Sequence, residues 1–110
     1  MGPADLTDSE LHCFLALCHL VVVADGRFAD EEKAELSAIC YDVGPERFLT
    51  FHVLVQDEDR DLAGALELAA TVERPEARAM MQTMLHDLAG TDGQHETETV
   101  ILEQLAAAWS

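Results

Sequence analysis

The strongest constraint on the fold is the segment from Leu11 to Ala24. Arranged as a helix, this segment carries apolar residues on nearly every side. Leu17 and Leu20 lie opposite the main stripe, which consists of Leu11, Phe14, Leu15, Cys18, Val21 and Val22. A helix with this pattern is usually covered by other elements on several sides. We therefore expect a central first helix from about Asp8 to Ala24, buried between other helices.

Local start and stop signals predict the remaining elements. Thr7-Asp8-Ser9-Glu10 is typical of a capping box that opens the first helix. The third segment is rich in β-branched and aromatic residues, but no second such run could pair with it as a strand. The sequence thus predicts an all-α fold, a compact bundle of about six helices that forms one domain over residues 1–110. The later helices are expected to begin near Asp30, Pro45, Asp57 or Asp59, Pro75 and Thr97.

The charge balance restricts the classes of partner. The 110 residues carry a formal net charge of −16, which repels nucleic acid and anionic lipid and attracts divalent cations or a basic protein surface. An acid-rich, salt-adapted proteome would give the same balance without a specific partner. The apolar first helix is too short to span a bilayer, which takes about 20 residues. Three cysteines and no secretory signal indicate reduced thiols in a cytoplasmic protein.

An Asp-Gly pair occurs twice, each time after an apolar helix and before an acidic helix start. Aligning Asp25-Gly26 with Asp92-Gly93 also aligns His19 with His86 and Glu31 with Glu98. Glycine ends a helix readily because it adopts positive φ without steric cost. The first and last helical hairpins are therefore predicted to be two copies of one helix–turn–helix unit.

The two turns concentrate carboxylates, which are the ligands that calcium and magnesium prefer. The spacing is not that of an EF-hand, because Arg27 and Ala29 stand where that loop needs oxygen ligands. Ordinary helix capping by acidic residues is the alternative interpretation. The candidate ligands for a divalent cation are Asp25, Asp30, Glu31, Glu32, Asp92, Glu96 and Glu98.

The segment Ala24 to Lys33 resembles the first signature of the TerB-like tellurite-resistance family, and Thr91-Asp92-Gly93 with its following acids resembles the second. This resemblance implies an all-helical, non-enzymatic module of bacterial tellurite or stress response that binds a divalent cation, usually proposed to be calcium. By position it implies Asp25, Glu32 and Asp92 as ligands. The second copy departs from the pattern, because Thr99 stands where Glu32 stands in the first.

Two other classes of function compete with this interpretation. The acidic segment from Asp57 to Asp61 is consistent with a protein-interaction module or a nucleic-acid mimic that needs no metal. His86-Asp87 is similar to the paired ligands of small metal-dependent hydrolases. No motif for a catalytic nucleophile or a phosphate-binding loop occurs in the sequence, and we therefore expect no enzymatic activity.

Overall fold

Six α-helices follow one another in the computed structural model, which describes the backbone of residues 2–24, 30–90 and 96–109 and the side chains of residues 2–22, 34, 36–88 and 99–109. No strand occurs within these backbone ranges, so the prediction of an all-α bundle of about six helices is confirmed. A short 3₁₀ turn, Pro3–Asp5, precedes the first helix. The helices are α1 Asp8–Ala24, α2 Asp30–Val43, α3 Pro45–Glu58, α4 Leu62–Ala69, α5 Pro75–Gly90 and α6 Glu96–Ala108.

The start of α1 has the reciprocal hydrogen bonds that its sequence predicts. The Thr7 N–H donates to Glu10 Oε1 at 2.8 Å, and the Glu10 N–H donates to Thr7 Oγ1 at 3.2 Å. These bonds satisfy backbone donors that the first turn of a helix leaves unpaired. The capping box is confirmed, and α1 has the predicted bounds.

α1 lies at the centre of the bundle, where it contacts α3, α4, α5 and α6. Phe14 and Val21 on its main stripe have no solvent-exposed surface, and neither does Leu17 on the opposite side. Burial on both sides is what a helix with an apolar surface all round requires. The prediction of a buried central helix is therefore confirmed. None of the described helices has the length and apolar character needed to cross a membrane.

Gly44 joins α2 to α3. Its N–H donates to the Cys40 carbonyl at 2.9 Å, and its carbonyl accepts from the Phe48 N–H at 2.9 Å. Its φ of 105° lies in a region that L-residues rarely adopt. Pro45 follows as the first residue of α3, where its missing N–H costs nothing. One glycine thus ends α2 and precedes α3, and the predicted start of a helix near Pro45 is confirmed.

We expect Gly44→Ala to lower the free energy of unfolding by about 1–2 kcal/mol, because the new Cβ would strain this backbone. A Cβ there meets no atom within 4 Å, so crowding adds nothing to the cost. Chemical denaturation measures the change, with the exposed helical residue Ser37→Ala as control. An unchanged midpoint for Gly44→Ala would contradict the backbone strain.

The start of α4 differs from the prediction that Asp57 or Asp59 caps it. Asp57 lies inside α3, and Asp59 ends α3 in a left-handed conformation with a φ of 44°. The cap is Asp61, whose Oδ1 accepts a hydrogen bond from the Gly64 N–H at 2.9 Å. The prediction was wrong because α3 continues to Glu58, which moves the next helix start towards the C-terminus.

α5 and α6 complete the bundle, and each buries an apolar stripe. The Trp109 indole N–H donates to the Ala69 carbonyl at 2.9 Å, and the Arg78 guanidinium lies 5.8 Å from the centre of the indole ring. These contacts hold the end of α6 against α4 and α5. Met80 and Met84 are half-buried beside the buried stripes, which are formed by Ala77, Met81, Leu85 and Leu88 in α5 and by Ile101, Leu102 and Leu105 in α6.

Candidate functional site

The seven predicted cation ligands belong to the two connections that follow α1 and α5 and to the starts of the next helices, α2 and α6. Asp25 and Asp92 lie outside the described residues, as do the side chains of Asp30, Glu31, Glu32, Glu96 and Glu98. The backbone does show that α2 begins at Asp30 and that α6 begins at Glu96. Acidic residues therefore lie in the first turn of both helices, where the helix dipole stabilises negative charge. Binding of a cation by these residues stays a prediction.

Elsewhere, among the residues whose side chains are described, no three His, Cys, Asp or Glu side chains are placed to hold a metal ion together. Cys13 and Cys18 are buried, unpaired thiols. Burial raises the pKa of the Cys13 thiol to about 12 and raises that of Cys18 still further. A thiol that stays protonated is a poor nucleophile and a poor metal ligand, so these two cysteines belong to the core.

The side chains of His86 and Asp87 are both exposed on α5. They border a shallow surface depression whose other lining residues are Ala79, Gln82, Thr83 and Ala106. None of these four supplies a carboxylate, imidazole or thiolate ligand. A hydrolytic metal centre needs about three protein ligands that converge on the ion, and this lining supplies only the predicted pair.

A histidine–carboxylate–arginine cluster joins α1 to the junction of α3 and α4. His12 Nε2 lies 2.6 Å from Glu58 Oε1, and Arg60 donates to Glu58 Oε2 at 3.1 Å. The hydrogen bond from Arg60, followed by the one from His12, lowers the pKa of Glu58 below its usual range. Nearby, His19 Nε2 lies 4.0 Å from Asp59 Oδ1. The acidic segment from Asp57 to Asp61 is thus partly held against α1.

A second ion pair closes the N-terminal side of the bundle. Arg74 donates to both carboxylate oxygens of Glu10, at 2.8 and 2.5 Å, and to the Asp5 carbonyl at 3.1 Å. The Glu10 side chain is only 6% exposed. Glu10 therefore combines a capping role in α1 with a charge pair that fixes the segment between α4 and α5. Sequence reasoning identified the capping role and missed the charge pair.

All the described arginines form hydrogen bonds or ion pairs within the fold. Arg47 pairs with Asp8 and the Leu6 carbonyl, and Arg78 donates to the Val72 carbonyl, while Arg60 and Arg74 hold the pairs given above. Many carboxylates, in contrast, are exposed and have no ion pair with any described residue. We call these the acidic surface: Asp42, Glu46, Asp57, Glu67, Glu73, Glu76, Asp87 and Glu103.

Three of the described arginines therefore neutralise carboxylates within the fold, and no described arginine forms an ion pair with the acidic surface. The negative charge of that surface is left to attract cationic groups from solution. A scan of protein-family models, a search of curated proteins and a search of solved structures each find no match to this chain.

Proposed function

We propose that this chain is a non-enzymatic, TerB-like binding module of the cytoplasm that attracts cationic ligands to an acidic surface. The main support for the proposal is one observation. The described arginines form their hydrogen bonds within the fold, while the carboxylates of the acidic surface face solvent. The resemblance of the two Asp-Gly turns to the TerB-like signatures supports the same assignment. It also supports a role in bacterial tellurite or stress response.

In this proposal the specific ligand is a divalent cation, with calcium as the first candidate. Asp25 and Asp92 are its primary ligands, and Glu32 and Glu98 support them. The placement of acidic residues in the first turns of α2 and α6 favours this proposal, because only two or three residues separate each of those helices from its Asp-Gly pair. Hard cations of this kind take carboxylate and carbonyl oxygens as ligands.

The second candidate is an acidic protein-interaction module that needs no metal. It is favoured by one observation, which is that the described helices carry exposed carboxylates at positions away from the two turns, as in the acidic surface defined above. Binding of this kind weakens as salt increases, because exposed charges are screened. It does not respond to a chelator, and it depends on the segment from Asp57 to Asp61 as much as on Asp25.

Calcium and magnesium titrations followed by NMR amide shifts separate the two candidates. We expect shifts that cluster at residues 25–32 and 92–98 and that EDTA reverses. The double variant Asp25→Asn/Asp92→Asn should weaken the response at least about tenfold, because it removes the negative charge of both primary ligands.

The matched control is Glu67→Gln/Glu73→Gln, which makes the same change of net charge on the acidic surface. It should leave the titration unchanged. Equal responses from the two double variants, or small shifts spread over the whole surface, would exclude a cation site at the turns and leave the second candidate.

A further inference from the structure

An apolar groove lies between α2 and α3. It has a volume of about 550 Å³, and its walls include Leu36, Cys40, Tyr41, Pro45, Phe48 and His52. Most of these side chains are apolar, and the imidazole ring of His52 stacks on the Phe48 ring with 5.3 Å between the ring centres. Sequence reasoning did not identify this surface.

Exposed apolar side chains extend the groove at its edges. The Tyr41 side chain is 88% exposed, Leu49 is 54% exposed and Val53 is 51% exposed. By helical spacing, Leu49 lies one turn after the groove-lining Pro45, and Val53 lies one turn after Leu49, so the two extend the apolar surface outward from the groove. Three large apolar side chains around one groove form a patch, unlike the isolated exposed residues that are normal on a surface.

The groove also continues inward. A pocket of about 210 Å³ shares Leu36 and His52 with it and extends to Cys18 and His19 of α1. This volume is below the ~300 Å³ that small-molecule sites usually reach. A pocket of this size beside a longer apolar groove suits one anchoring side chain of a bound helix.

The charges around the patch select the kind of partner. Glu46 lies three residues before Leu49, and Asp57 lies four residues after Val53, so these two exposed carboxylates share a side of α3 with the exposed apolar residues. Arg47 is the one basic residue among the described side chains of α2 and α3, and it is held by Asp8 and the Leu6 carbonyl. The apolar patch is therefore edged by negative charge.

We propose that the α2–α3 groove binds an amphipathic helix of another protein, with an apolar face and flanking lysine or arginine residues. The inference rests on the proposed function in one respect, since the acidic surface supplies the attraction for those flanks. The apolar face of the bound helix covers Tyr41, Leu49 and Val53. One large apolar side chain of that helix enters the inner pocket. A second copy of this chain fits the groove less well, because two chains that each have a net charge of −16 repel one another.

The test uses three synthetic peptides of equal length as probes. One is an 18-residue leucine–lysine peptide with helical spacing, the second has the same composition in scrambled order, and the third replaces lysine by glutamate. We expect the helical basic peptide to bind at least about tenfold more tightly than the others in calorimetry. Its NMR shifts should lie on α2 and α3.

Variants locate the binding on the chain. Tyr41→Ser/Leu49→Ser/Val53→Ser should weaken binding of the helical basic peptide at least about tenfold. The matched control, Leu54→Ser/Val100→Ser, removes exposed apolar side chains away from the groove and should change binding less than about twofold. Circular dichroism checks that both variants keep the helical content of the wild type.

Several outcomes would overturn the groove proposal: no binding of the helical basic peptide, equal binding of the scrambled one, or peptide shifts away from α2 and α3. Dimerisation through Tyr41 and Leu49 in sedimentation experiments would overturn it as well. The calcium titration and the peptide titration are separate measurements. Peptide binding without a calcium response would contradict only the cation site, and a calcium response without peptide binding would contradict only the groove proposal.

Discussion

Arg74→Ala is expected to lower the melting temperature by roughly 10 °C at neutral pH. The variant leaves the Glu10 carboxylate, with a side chain only 6% exposed, without its two hydrogen bonds from Arg74. A buried charge that loses its partner is far more costly than a pair that was never formed. Thermal unfolding followed by circular dichroism measures the change.

The control for this prediction is Arg47→Ala. Arg47 also pairs with a carboxylate, but the side chain of its partner Asp8 is 77% exposed and stays solvated when the arginine is removed. Its melting temperature should fall by only a few degrees. Equal losses for the two variants would mean that burial of Glu10 is not the source of the effect.

The same pair predicts how stability depends on pH. The Arg74 hydrogen bond, opposed by burial and supported by bonds from Thr7, lowers the pKa of Glu10 from its usual 4.5 to about 2. Because the pKa is lower in the folded state, this stabilisation is complete above pH 4.5 and is lost as the pH falls towards about 2. The difference between wild type and Arg74→Ala should therefore shrink over that interval.

Phe14→Ala is expected to lower the free energy of unfolding by about 4 kcal/mol. Phe14 lies on α1 with no exposed surface, at the centre of the bundle. Truncation removes its apolar burial and leaves a cavity that neighbouring helices can fill only in part. Urea denaturation gives the value, and Phe14→Leu should cost less because it keeps more of the volume.

An exposed leucine gives the comparison. Leu54 on α3 is 41% exposed, so Leu54→Ala should cost less than about 1 kcal/mol. A similarly small loss for Phe14→Ala would contradict the central position of α1.

Local signals in the sequence predicted the helices because they act over a few residues. The capping box at Thr7 and Glu10 and the Gly44-Pro45 junction both depend on bonds within about one helical turn. Burial of α1 was also predictable, because a helix apolar on all sides has no surface to leave in water. The cap of α4 was misplaced, since the length of α3 is not marked by such a signal.

The candidate site was predictable only in part. The repeated Asp-Gly pair gave seven proposed ligands, and the backbone shows only that α2 and α6 begin where those acids lie. The sequence gives a weaker indication of the α2–α3 groove. The α3 helix has more apolar residues than a single buried stripe requires. Leu49 and Val53 belong to this excess.

The sequence by itself determined the helical class, most helix ends, the central burial of α1 and the excess of negative charge. Only the tertiary structure decided which charged groups meet and which apolar residues stay exposed. Glu10 pairs with Arg74 across 64 positions of the chain, and His12 pairs with Glu58 across 46. Such pairs and the groove between α2 and α3 depend on how helices pack against one another, and helical periodicity along the chain does not encode that arrangement.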